Sequence, residues 1–133
     1  TLPESARFMN RGLDFCLDII AFDLKPESLV RRKYMFEPEL EETYGENAHR
    51  YHLLGAETTP CFQVKKSVIT GAVERDEDAF YTGVVTAGSC IVRTARATIE
   101  LGTYDKFFCP AGLGTYSIEA DENVEILECF PPA

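Results

Sequence analysis

The run Asp105-Lys106-Phe107-Phe108-Cys109-Pro110-Ala111-Gly112-Leu113-Gly114-Thr115-Tyr116 constrains this chain more than any other part of it. Lys106 to Cys109 reads as a strand, and Pro110, which has no N–H to give to a ladder, ends it. Cys109 stands before proline, where extended backbone is favoured. Gly112 and Gly114 suit a tight turn, and a second strand resumes at Tyr116. A strand, a glycine corner and a strand in this order make one edge of a small β-barrel.

The surrounding sequence carries the same signal. After Thr59 the hydrophobic period becomes two, with Phe62, Val64 and Val68 on one face of a strand that Gly71 ends. Phe80 to Thr86 forms a further strand, broken by Ala87-Gly88-Ser89. Ile91 to Arg93 and Thr98 to Leu101 follow around an Ala/Arg turn. Tyr116 to Glu119 and Val124 to Phe130 close the set, joined by a hairpin turn at Asp121-Glu122-Asn123. Pro131-Pro132 then stops the ladder. Many short strands with Gly, Pro and Asp turns indicate a mainly β chain, a β-sandwich or a jelly-roll barrel.

The N-terminal part differs. Leu13, Cys16, Leu17, Ile20 and Leu24 recur at helical spacing opposite Asp14 and Asp18, with Asn10 as the cap and Lys25-Pro26 as the end. From Pro26 to Gly55 the pattern weakens. Glu37-Pro38-Glu39-Leu40-Glu41-Glu42 is an acidic run and Asn47 to His52 is polar, which reads as a solvated connection. A loop of that length is also a candidate lid. The chain is therefore read as one domain over 1–133. It has a helical appendage at 1–25 with one short helix, a loop-rich connection at 26–58, and a β-barrel core at 59–133.

Composition narrows the function classes. A chain of 133 residues is long enough to bury a core without staples. Its formal charge is −9, and its bases are dispersed, which argues against a nucleic-acid surface. One local basic pocket can still hold a small anion. No apolar run spans a bilayer, and no signal peptide opens the chain. Cys16, Cys61, Cys90, Cys109 and Cys129 make no CxxC pair, so they read as buried free thiols in a reducing, cytoplasmic setting. The chain opens on Thr1 and enters a helix almost at once, as a piece of a longer protein or a trimmed chain would.

The barrel pattern resembles a cupin. Cupins carry a first motif with His-x-His and a distant Glu, and a second close to Gly-x(5)-Pro-x-Gly-x(2)-His. The second is matched at Asp105, Pro110 and Gly112, but Tyr104 stands where its glycine would be and Thr115 where its histidine would be. The first motif falls in Glu74 to Phe80, which holds no histidine.

A closer resemblance rests on an ordered set of segments. Thr59-Pro60-Cys61-Phe62-Gln63-Val64-Lys65-Lys66, then Phe80 to Ser89, then Phe107 through Pro110-Ala111-Gly112-Leu113-Gly114 to Ile118, look like the C-terminal end of class I mannose-6-phosphate isomerases. Asn10-Arg11-Gly12-Leu13-Asp14-Phe15-Cys16-Leu17-Asp18-Ile19-Ile20-Ala21-Phe22 is similar to a helix of that family, with Asp14 where its histidine stands. The match runs from about Arg7 to Pro131 and is weak between Pro26 and Ala56. The resemblance implies a cupin-type jelly roll that takes part in interconverting mannose 6-phosphate and fructose 6-phosphate. It implies a hexose 6-phosphate substrate and an N-terminal catalytic cupin domain of the same protein as partner. A zinc ion supplies the Lewis acid in the family, held by Gln, Glu and two His in that preceding half, and this segment itself binds none.

Within this frame the candidate catalytic residues are Arg7 and Arg11. The resemblance places an arginine near the junction of the two halves, facing the sugar, where a guanidinium can stabilise an enediolate or orient a phosphate. Against this stands the plain reading of arginines near a helix start. His49 and His52 have no third ligand at a familiar spacing and read as surface or loop histidines. Arg93 and Arg96 flank a turn and could bind an anion, but a solvent-facing hairpin is the reading the sequence favours for them. Asp105 holds the corner, and Cys109 has no histidine near it to act as a base. The alternative reading is a free-standing, non-catalytic cupin that binds a sugar or sugar phosphate.

Overall fold

The computed structural model describes residues 3–132 apart from Met9, Ala21, Phe22, Leu24 and Phe36. The chain divides into two compact units, residues 1–35 and 36–133. The first unit contains α1 (Glu4–Arg7), α2 (Gly12–Asp18) and α3 (Glu27–Tyr34), three short helices in place of the single one expected. Asn10 and Gly12 take positive φ of 60° and 81°, which separates α1 from α2. Asn10 therefore does not cap α2; Arg11 occupies that position without a side-chain bond. Asp18 ends α2, well short of Lys25-Pro26. Pro26 instead caps α3, where a missing N–H costs nothing. Leu24, and Ala21 and Phe22 of the family-like helix segment, lie outside the described residues.

The second unit is the barrel. Its strands are β1 (Glu39–Tyr44), β2 (Ala48–Leu54), β3 (Gln63–Arg75), β4 (Tyr81–Ala87), β5 (Cys90–Arg93), β6 (Thr98–Leu101), β7 (Lys106–Cys109) and β8 (Tyr116–Phe130). The loop-rich connection expected over 26–58 is thus a helix followed by a hairpin. The acidic run hid β1 because it is an edge strand: Glu39, Glu41 and Glu42 are exposed, and charge on an edge blunts sheet-to-sheet pairing. The barrel fold begins upstream of residue 59. Among the described residues no helix is long and apolar enough to cross a membrane.

All strand pairs are antiparallel, in the order β1-β2-β3-β8-β4-β7, with β5 on β8 and β6 on β5. The long strands β3 and β8 form a ribbon shared by both walls. Residues 63–69 of β3 and 124–130 of β8 run with β2 and β4. The stretches 71–75 and 116–120 run with β5 and β6. Between them the register shifts, so that Asp121-Glu122-Asn123 stands opposite Thr70 alone. That segment is a bulge within one strand and not the expected hairpin turn. The bulge bends the ribbon from one wall to the other, and Thr70 Oγ1 donates to Asn123 Oδ1 across it. Gly71 does not end the strand; with φ 76° it makes the bend.

The core between the walls holds Ile69, Val85, Ile118, Val124 and Ile126, all fully buried. The inner face of β3 is Ser67, Ile69, Val73 and Arg75, whereas Phe62 is exposed and lies outside the strand. The expected face Phe62, Val64, Val68 is the opposite one: Val64 is buried but out of phase with Ile69, and the polar Ser67 and Arg75 hid the inward phase.

Candidate functional site

The inward polar side chains meet in one cluster inside the barrel. Arg75 at the end of β3 has its Nη1 on Glu128 Oε1, with both side chains 0% exposed. Its Nη2 donates to Ser67 Oγ at 2.7 Å, and Ser67 Oγ donates to Glu128 Oε1 at 2.8 Å. Ser67 and Arg75 lie on the same strand; the bend in β3 lets them converge. Arg50 of β2 donates to Glu77, and it approaches Glu42 at 3.6 Å. Arg50 Nε lies 3.0 Å from Glu128 Oε2 but off the N–H direction, so neither atom gains a hydrogen bond there. Arg75 Nε is likewise without an acceptor.

Aromatic rings enclose these charges. Tyr44 lies beneath both guanidiniums, with Arg75 4.7 Å and Arg50 5.5 Å from its ring centroid. Phe130 lies under Arg50 and stacks on Tyr81 at 5.0 Å. The Tyr81 and Tyr116 hydroxyls share a hydrogen bond of 2.8 Å. Burial opposes charge on Arg50 and Arg75, yet Glu128, with Glu77 at Arg50, more than offsets it, and both pKa values lie above the ordinary arginine value. Burial pushes the Tyr44, Tyr81 and Tyr116 hydroxyls above the ordinary phenol value, and the Cys109 thiol above its own. At neutral pH these four are uncharged.

These residues also test whether the barrel fits a metal. In the stretch expected to hold the first cupin motif, Arg75 is buried on Glu128 and Glu77 is engaged by Arg50. At the second motif Thr115 is exposed, and the neighbouring Tyr116 is the inward residue. Among the described residues no group of three or more His, Cys, Asp and Glu could hold a metal ion. Two fixed guanidiniums, which have no lone pair to give and repel a cation, do not fit zinc at a place where it would need nitrogen, sulfur or oxygen donors.

The residues singled out from sequence are scattered. Arg7 ends α1, and Arg11 precedes α2 with its guanidinium 4.7 Å from the Phe15 ring centroid. Both belong to the first compact unit. His49 and His52 lie on β2, where His49 Nδ1 is 3.4 Å from Thr43 Oγ1 and His52 Nε2 is 2.9 Å from Glu57 Oε1. Arg93 pairs with Glu119 at 3.1 Å. Asp105 accepts from the Gly102 N–H at 2.8 Å, so it closes the turn before β7 and not the corner after it. Cys90 and Cys109 are buried as expected, but Cys61 is exposed and Cys16 and Cys129 are half-buried. Sequence reasoning missed Arg50, Ser67, Arg75 and Glu128. The signal was present: Arg50 is in phase with Ala48, Ser67 with Ile69, Arg75 with Val73, and Glu128 with Ile126 and Phe130.

No protein-family model matches the chain, and no curated protein sequence is significantly similar to it. Solved structures do match. The EutQ protein of Clostridium difficile superposes with a TM-score of 0.58 at 11% identity, over 65% of this chain and 63% of its own. Ectoine synthase from P. lautus gives 0.61 at 11% identity, over 71% and 69%. An RmlC-like cupin from Shewanella frigidimarina NCIMB 400 gives 0.57 at 16% identity, over 85% and 93%. The match thus spans under two thirds of the EutQ protein's length. At these identities the likeness is one of fold, and the barrel is a cupin barrel.

Proposed function

We propose that this chain is the metal-free cupin part of a mannose-6-phosphate isomerase. It supports a separate zinc-bearing half and walls the sugar-phosphate pocket. The observation that carries the reading is the interior itself. Where a metal-bearing cupin gathers ligands, this one has two arginines locked on Glu128 and Glu77, a plug suited to holding two walls rigid. The ordered sequence resemblance supplies the identity of the reaction. A second support is Tyr104, which stands at the motif's glycine position and has the positive φ, 74°, that a glycine there would serve.

In this reading Arg7 and Arg11 are the residues of this chain offered to the substrate. A guanidinium held near the sugar would orient the phosphate or stabilise negative charge on the enediolate oxygens. Zinc, when bound by the other half, supplies the polarisation of the sugar oxygens. The cytoplasm is the proposed location.

The test is to assay the 133-residue chain alone and then in the presence of the polypeptide encoded upstream of Thr1. Alone it should carry no zinc and interconvert no mannose 6-phosphate. With its partner half it should restore turnover, and R7A or R11A should lower that turnover. Stoichiometric zinc or turnover in the isolated chain would overturn the proposal. Tight binding of mannose 6-phosphate by the isolated chain, with no catalytic half encoded upstream, would favour a free-standing sugar-binding barrel instead.

A further inference from the structure

A second feature of the barrel is independent of the isomerase reading. A cleft of about 290 Å³ opens between the edge strands β6 and β7, under the turn 94–97 and the corner 110–114. Its walls are Val92, Ile99, Phe107, Phe108, Pro110 and Leu113, with Tyr116 and Cys109 among its remaining lining residues. Phe108 is 62% exposed and Leu113 37%, so apolar surface is presented to a ligand and not sealed in the core. The size lies at the lower end of the roughly 300–1,000 Å³ usual for small-molecule sites.

The charge around this cleft is unusual for the molecule. The protein carries 22 acids and a net charge of −9, yet among the described residues lining the cleft Arg96 is the one that is charged. Two other clefts, of about 450 and 340 Å³, are mainly acidic, the first lined by Glu100, Glu119 and Asp121 and the second by Asp76, Glu77 and Asp78 with Lys65. Arg96 is held at the rim by its turn. Thr94 Oγ1 accepts the N–H of Arg96 at 3.2 Å and of Ala97 at 2.9 Å, and the Thr94 N–H reaches Ala97 O at 2.8 Å. Arg93, its neighbour, is used by Glu119; no hydrogen bond or ion pair among the described residues engages the Arg96 guanidinium. The Cys109 thiol and Tyr116 hydroxyl, kept protonated by burial, add no negative charge.

We propose that this cleft binds a small organic acid, with an apolar ring or branched body between Ile99, Phe107, Phe108 and Leu113 and its carboxylate on Arg96. Apolar walls reject a bare sugar or a free inorganic anion, which need several polar partners. A lone guanidinium at the rim selects a monoanion over its neutral isostere through a charge-assisted, two-pronged hydrogen bond.

The test is an amide-resolved NMR titration of the full chain with phenylacetate, and with phenylacetamide as the neutral isostere. Shifts should concentrate in residues 92–99 and 107–116, with phenylacetamide weaker by about tenfold. Arg96→Gln should remove that preference and Arg96→Lys should retain part of it. Arg96 is exposed and its guanidinium makes no hydrogen bond or ion pair among the described residues, so both variants should fold as the parent does, which their unperturbed amides will show. Equal binding of acid and amide, undiminished binding by Arg96→Gln, shifts centred on other clefts, or no binding up to about 10 mM would each overturn the proposal.

Discussion

Arg75 and Glu128 meet inside the barrel with neither side chain touching water, and they come from the two different walls that the β3–β8 ribbon joins. A buried ion pair of this kind adds little net stability, because desolvating both charges cancels most of their attraction. It adds a strong constraint: each charge depends on the other. The walls are held in one relative position by groups that cannot be separated cheaply.

Removing one partner should therefore be costly. Glu128→Ala leaves Arg75 buried without its counter-ion and Arg50 reliant on Glu77 and the more distant Glu42. The expected loss is about 3–5 kcal/mol in denaturant unfolding. Replacing Arg75 and Glu128 together by Met and Leu should recover most of it. A double variant no better than the single one would show that the pair has a role beyond filling the interior.

Tyr44, Tyr81 and Tyr116 set the alkaline limit. Their folded pKa values lie above the unfolded value of about 10, so their contribution to stability is complete below that pH and is lost as pH rises beyond it. Absorbance titration should find these three of the six tyrosines unionised until the barrel opens. Unfolding midpoints should begin to fall above about pH 10. Smooth ionisation of all six with the fold intact would contradict the buried hydroxyl pair.

Tyr104 holds a φ of 74° and is 76% exposed. A bulky residue in the left-handed region carries strain, and this one repays little of it by packing. Tyr104→Gly should stabilise the domain by about 1 kcal/mol, measured by chemical denaturation. The Tyr104 N–H, which donates to Val85 O at 2.7 Å, is retained in the variant.

Gly83 lies opposite Phe107 in the β4–β7 pair, and a Cβ on it would stand 2.3 Å from the Phe107 ring. Gly83→Ala should cost about 1–3 kcal/mol through overpacking. Combining it with Phe107→Leu should cost less than the two changes summed, since both act on one space.

The sequence made β6 and β7 legible to the residue, because each is short and flanked by turn-forming residues that mark both ends. It concealed β1 and β2, whose glutamates and histidines mimic a solvated loop until the partner strand is known. It also made Asp121-Glu122-Asn123 look like a turn, since the same residues suit a turn and a bulge; only the continuous pairing of β8 with β3 decides between them. The interior charges were hidden for a related reason. Period-two reasoning seeks apolar residues, and Glu128 between Ile126 and Phe130 looks like an outward position until its neighbours are seen to be inward.

β8 also bears on how the barrel is made. It follows the other described strands in sequence, yet it lies between β3 and β4 and carries β5 as well. While the chain emerges from the ribosome, those three strands wait with open edges for a partner not yet synthesised. Closure is then one late, cooperative event. Until β8 pairs with them, the open edges of β3, β4 and β5 would be the places where other chains could add.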